Sequence, residues 1–233
     1  MKRFYSAALA TMAAIAVLSA PAHAALRVPQ LAFASTSLQN RLNAFGESIN
    51  VLTTQQQGLV WGSTISTNTT MTIQFELAGN PHLNEFGLAA LNATGNTVTG
   101  VDPIFPAADL GTGFFAVASF RPGNVLKVNL FDPTAGLVST TTYSGVNRNL
   151  FGYYLKNANG TFYSHEGFNL DGKVHALVYA GTGQNLGCWW MSWEDTLDPT
   201  ATADYDDALV FLESLNPTPV NHTTWGSVKA RFR

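Results

Sequence analysis

The 233-residue chain contains one cysteine, Cys188. No internal disulfide can therefore form, and the fold has to be held by its core. Beside Trp189, this cysteine reads as a small buried apolar residue, with an intermolecular disulfide as the alternative. After the first two dozen residues no apolar run reaches the roughly 18 residues of a membrane-spanning helix. There is no His-x-x-x-His or Cys-x-x-Cys spacing, which argues against zinc. Gly-x-Ser-x-Gly, phosphate-loop and dinucleotide glycine patterns are missing too. Charge is also scarce, at 12% of residues, and positive charge is scarcer than negative, with 12 Lys and Arg against 15 Asp and Glu.

Two of those basic residues, Lys2 and Arg3, open a stretch with the layout of a secretory signal. An apolar run from Ala7 to Leu18 follows, then Pro21 and Ala22-His23-Ala24, with small residues where a signal peptidase reads. The expectation is a signal peptide over residues 1–24 and an exported protein, secreted or at the cell surface. Its loss would leave ten basic and fifteen acidic side chains, a net charge of −5. A net acidic protein is not drawn to nucleic acid or to an anionic membrane surface, so a cell-surface or matrix protein or a polysaccharide is the expected kind of partner.

The remaining chain reads as one domain. Residues 25–34 are an extended lead-in containing Pro29. Ser35 to Phe45 is a predicted helix, with Leu38, Leu42 and Phe45 on one face. Strand patterns dominate thereafter. Met71, Ile73, Phe75 and Leu77 alternate with polar residues, as do Leu126, Val128 and Leu130. Phe151–Leu155 and Thr161–Ser164 flank Asn157-Ala158-Asn159-Gly160, a hairpin turn. Val174–Ala180, Gly187–Trp193 and Ala208–Ser214 are further strand candidates. Many short strands separated by turns predict an all-β antiparallel sandwich, jelly-roll-like, over residues 35–215 with one short N-terminal helix; a barrel would give the same pattern. Asn216-Pro217-Thr218-Pro219 reads as a break that starts a linker and basic tail over 216–233, carrying Lys229, Arg231 and Arg233.

What the chain does have is a dense acidic segment. Seven of its fifteen acidic residues lie from Glu194 to Glu213, with no Lys or Arg among them. If the flanking strands form a hairpin, the loop between them returns Glu194, Asp195, Asp204, Asp206 and Asp207 to one rim. In a regular strand Asp204 and Asp206 would share a face and Asp207 would point to the other. Calcium takes six to eight oxygens, and carboxylates with loop carbonyls can supply them; the alternative is a solvated turn whose aspartates cap backbone amides. The spacing is not that of an EF-hand. Paired carboxylates also suit a glycosidase, a reading that requires a more apolar pocket than this crowded cluster offers. Trp189, Trp190 and Trp193 pose a similar choice between core and a carbohydrate-binding platform. Trp189 and Trp193 fall on one strand face and Trp190 on the other, and a platform needs an exposed pair of rings. His165 and His175 flank the turn at Asp171-Gly172.

Phe151-Gly152-Tyr153-Tyr154-Leu155, Phe162-Tyr163-Ser164, His175 to Tyr179, Glu194-Asp195 and Ala203-Asp204-Tyr205-Asp206-Asp207 before an apolar strand come in an order that resembles the domain-of-unknown-function 4114 family of exported bacterial proteins. Leu38–Val51 and Phe75–Gly79 through Phe86-Gly87 look like the leader of members with a PEP-CTERM sorting tail. The resemblance implies a secreted β-rich domain with an acidic calcium site, found in surface or matrix proteins and without known catalytic activity. The chain departs from the pattern at Asp206, where the family usually has Asn, and at Ala203, where another Asp is common. Its end has no Pro-Glu-Pro motif and no hydrophobic anchor before basic residues.

Overall fold

The computed structural model describes residues 25–63, 70–77, 84–106, 114–200 and 203–218. The predicted signal peptide, Phe75–Gly79 beyond Leu77, and the tail from Pro219 lie outside them. One helix, α1 (Thr36–Ala44), precedes thirteen strands: β1 (Val60–Ser63), β2 (Thr70–Leu77), β3 (Glu85–Leu91), β4 (Val98–Phe105), β5 (Phe115–Arg121), β6 (Val125–Asp132), β7 (Gly136–Ser144), β8 (Phe151–Asn157), β9 (Gly160–Tyr163), β10 (Ala176–Ala180), β11 (Trp189–Trp193), β12 (Ala208–Leu212) and β13 (Leu215–Thr218). Every strand pairing is antiparallel.

Two sheets result. One runs β13-β1-β8-β3-β4, with β9 also on β8; the other runs β10-β11-β12-β2-β5-β6-β7. Alternation along the strands places one apolar face of each sheet inward. In β6, Leu126, Val128 and Leu130 are buried between half-buried neighbours. Rings meet across the gap: Trp61 of β1 on Trp189 of β11, Phe86 of β3 on Trp193 of β11, and Phe120 of β5 on Phe151 of β8. This is the all-β sandwich, and a single large core joins both sheets.

A second, smaller core lies on the outer face of β10–β12. Leu177, Tyr179, Trp190 and Leu209 point out of the sandwich there and are covered by Leu38 and Leu42 of α1 with Phe33, Ile49 and Val51. The helix therefore forms because an amphipathic stripe has an apolar sheet face to cover. Phe45, predicted on that stripe, is 42% exposed and stacks on Trp190 at the margin. At the helix start Ser35 makes no side-chain cap, and the Ser37 hydroxyl donates to Asp206.

Three expectations change. The lead-in docks onto the domain, with Arg27 N–H bonding the Gln55 carbonyl at 2.8 Å, Ala34 N–H bonding the Ala203 carbonyl at 2.9 Å, and Phe33 in the second core. Leu215–Thr218 forms β13 rather than a linker; it is an edge strand, so Pro217 opposite Trp61 costs no ladder bond to a further strand. Cys188 is half-buried rather than buried, and burial pushes its thiol pKa up.

Candidate metal centre

β11 and β12 pair with Trp193 opposite Ala208, so the chain leaves one strand at Glu194 and re-enters the next after Asp207 at the same end of the sheet. The hairpin expected from the sequence is present, and it gathers the acidic residues at its loop end. Regular alternation does not hold there. Tyr205 has a left-handed backbone, φ +54°, unusual for a bulky residue. It is held by a buried ring against Phe33 and by its hydroxyl, which donates to the Val174 carbonyl at 2.7 Å. With this kink Asp207, expected on the opposite face, comes round to Asp204, while Asp206 stays beside Asp204 and also reaches the helix.

Glu194, Asp204 and Asp207 each bring a carboxylate oxygen to within 4.8 Å of the others. Glu194 is buried, and Thr196 Oγ1 donates to its Oε1 at 2.6 Å. Asp207 Oδ2 accepts the Asp195 N–H at 2.9 Å. Burial pushes the Asp207 carboxyl up to about 7; the Asp195 amide opposes this, and the charges of Asp195, Glu194 and Asp204 add to it. Asp204 is raised as well, by burial and then by Asp206 beside it. Among the described residues no Lys or Arg pairs with any of the three. Glu194 and Asp204 open on a recess of about 380 Å³ lined by Thr196, Asp198, Pro199, Thr200 and Ala203.

The other two predicted ligands have different partners. Asp206 accepts from Ser37 and forms an ion pair with Arg41 Nε at 3.5 Å. Asp195 accepts from Asn84 Nδ2 at 2.9 Å through its side chain, and from Asn157 and Asn159 through its carbonyl. The convergent set is therefore three carboxylates rather than five. Two oxygens on opposite sides of a calcium ion stand about 5 Å apart, so the spacing of the three is compatible with such an ion.

Trp189, Trp190 and Trp193 are 4%, 4% and 0% exposed. They fall on the two faces as expected, and both faces are covered: the first and third by the opposite sheet, Trp190 by the helix segment. An exposed ring pair, which a sugar platform requires, is not formed by these three. Trp190 Nε1 instead donates to Glu47 Oε1 at 2.6 Å.

Two arrangements escaped sequence reading. Glu47 is buried and accepts four bonds, from Trp190, Asn185 and both the amide and hydroxyl of Thr182, at 2.6–2.7 Å. Nothing in the sequence around Glu47 marks it. The second is His175, fully buried under Phe162, with Nε2 2.9 Å from Asp171 Oδ2 and Nδ1 3.0 Å from the Glu194 carbonyl oxygen. Both ring nitrogens thus lie within hydrogen-bond distance of an oxygen atom. Asp171 also accepts the Asp198 and Lys173 amides. These bonds, with the His175 ring, outweigh its burial and hold its pKa below the usual range. The i,i+4 spacing of Asp171 and His175 was the available signal. The pair braces the start of the acidic loop; His165 has its own role, capping the short turn Glu166–Phe168.

In comparisons with known proteins, no family model and no curated protein matches this chain.

Proposed function

We propose that this chain is an exported, non-catalytic structural or adhesion domain in which calcium, held by Glu194, Asp204 and Asp207, ties the 194–207 loop to the sandwich. The observation that carries this reading is the convergence of three carboxylates with no basic partner among the described residues. Such a cluster repels itself unless protonated or neutralised. Calcium, a hard cation, matches the oxygen-only donor set, and its binding would offset the burial and the neighbouring charges that together raise Asp207. The signal-like first 24 residues and the order of the Phe151–Asp207 motifs support export and a surface or matrix setting. The test is thermal unfolding with calcium, magnesium or chelator. The midpoint should rise with calcium, since a ligand of the folded state alone stabilises it; a midpoint indifferent to millimolar calcium contradicts the reading.

One observation favours a second reading. A raised carboxyl, Asp207, lies within 4.8 Å of Glu194, and retaining glycosidases separate their carboxyl groups by about 5 Å. The recess counts against it, because among the described residues no aromatic side chain lines it to seat a sugar ring. Hydrolysis of a glycan panel that disappears in Glu194→Gln, with folding intact, would establish this second reading.

A further inference from the structure

The strand β7 is nine residues long, Gly136–Ser144, and ends its sheet. Among the described residues no strand pairs with its outer side. Exposed sheet edges are templates for pairing with another chain, and proteins usually blunt them with proline, charge, shortness or a cover. The other edges here are treated that way. β4 carries Pro103 and Asp102, and β13 carries Pro217. β9 has four residues. β10 is covered by Gln56, whose N–H donates to the Val178 carbonyl at 2.7 Å.

β7 has no charged residue and no proline. Eight of its nine residues are exposed, on both faces, so neither sheet face is covered there. The strand is nonetheless anchored. It pairs with β6 along its length, and the Tyr143 hydroxyl donates to the Pro103 carbonyl at 2.6 Å. Its one irregularity lies opposite Leu130 and Phe131, which leaves Ser139–Ser144 as an even run of hydroxyl-bearing residues.

We propose that β7 is a self-association edge, and that a second copy of this chain pairs with it antiparallel about a two-fold axis at Thr141. Three features select a second copy. The run carries no charge, so two copies meet without like-charge repulsion. An antiparallel two-fold pairing is self-complementary. Centred on Thr141, it sets Thr140 against Thr142, Ser139 against Tyr143 and Thr141 against itself, keeping each pair on one face; threonine and serine pairs of this kind stabilise antiparallel ladders. The product is one continuous sheet through two sandwiches, main-chain bonds supplying the affinity. This does not depend on the calcium reading.

The test is sedimentation equilibrium of the purified full chain, in chelator, over a broad concentration range. Wild type should form a dimer. Thr141→Lys places two lysines face to face and should weaken dimerisation by about tenfold or more, like charges across an interface being strongly unfavourable. Its melting temperature at a concentration where both proteins are monomeric should match wild type, which separates edge blocking from misfolding. Thr140→Lys mixed with Thr142→Glu sets the introduced lysine against the introduced glutamate and should form a heterodimer tighter than the homodimer of either variant. A wild type that stays monomeric, a dimer unaffected by Thr141→Lys, or a mixture that does not pair overturns the proposal.

Discussion

The indole N–H of Trp190 donates to the carboxylate of Glu47 at 2.6 Å, binding the segment after the helix to the outer face of β11. Thr182 and Asn185 supply the other bonds to Glu47, so neither oxygen is free for a metal. Glu47→Ala leaves these donors without a partner in a largely buried setting. Each orphaned buried group costs about 1–3 kcal/mol, and the variant should lose about 3 kcal/mol of unfolding free energy in a denaturant titration. A loss below about 0.5 kcal/mol, the range of neutral surface changes, would contradict the strut.

The same carboxylate gives a pH signature. Burial acts to raise its pKa, but the bonds from Thr182, Trp190 and Asn185 outweigh burial and lower it. A group whose folded pKa is depressed stabilises above its unfolded pKa, near 4.5, and that stability drains away as pH falls through the lower folded value. Wild type should therefore lose more stability than Glu47→Gln on acidification below about pH 4, as read by unfolding midpoints across that range.

Asp207 has the opposite sign. Its folded pKa, about 7, lies above the ordinary 3.8. Folding takes up a proton between those values, so metal-free stability is greatest below about pH 4 as far as this group is concerned and falls as pH rises through 7. Asp207→Asn should flatten that decline and raise the metal-free midpoint at pH 8. Calcium should flatten it in wild type by displacing the proton. A slope unchanged in Asp207→Asn would remove Asp207 from the cluster.

The three-carboxylate set separates from the five-carboxylate one by mutation. Asp206 already has partners in Arg41 and Ser37, so Asp206→Asn should shift calcium affinity by less than about threefold, while loss of a direct ligand from Asp204→Asn should weaken it about tenfold or more. Equal effects would put Asp206 in the ligand shell.

The four described tryptophans, Trp61, Trp189, Trp190 and Trp193, are all buried. Native emission should be blue-shifted and little affected by added polysaccharide, apart from any contribution of Trp225. Strong quenching by a glycan that is lost in Trp190→Phe would revive a sugar site on that face.

Apolar strands were legible in the sequence: β2 and β6 lie where their alternation places them, and β8 and β10–β12 lie where their apolar runs place them. β7 was not, because Leu-Val-Ser-Thr-Thr-Thr buries neither face and so has no alternation to read. β13 was mistaken for a break because Pro217 signals one in a central strand and is tolerated at an edge. The acidic rim was legible as a cluster and a hairpin, but its membership was not. The sorting depends on one left-handed tyrosine, and a bulky residue carries no local mark of that conformation. Arg41 and Asp206 are 165 residues apart in the chain, and only folding brings them together.

The most direct measurement is calorimetric titration of calcium into the chelator-stripped full chain, beside Asp204→Ala/Asp207→Ala. One calcium per chain, bound with release of a proton near pH 7 and abolished in the double variant, is the predicted result. No calcium heat in wild type, or equal binding by the double variant, would contradict the account and leave the rim an acidic turn stabilised by protonation.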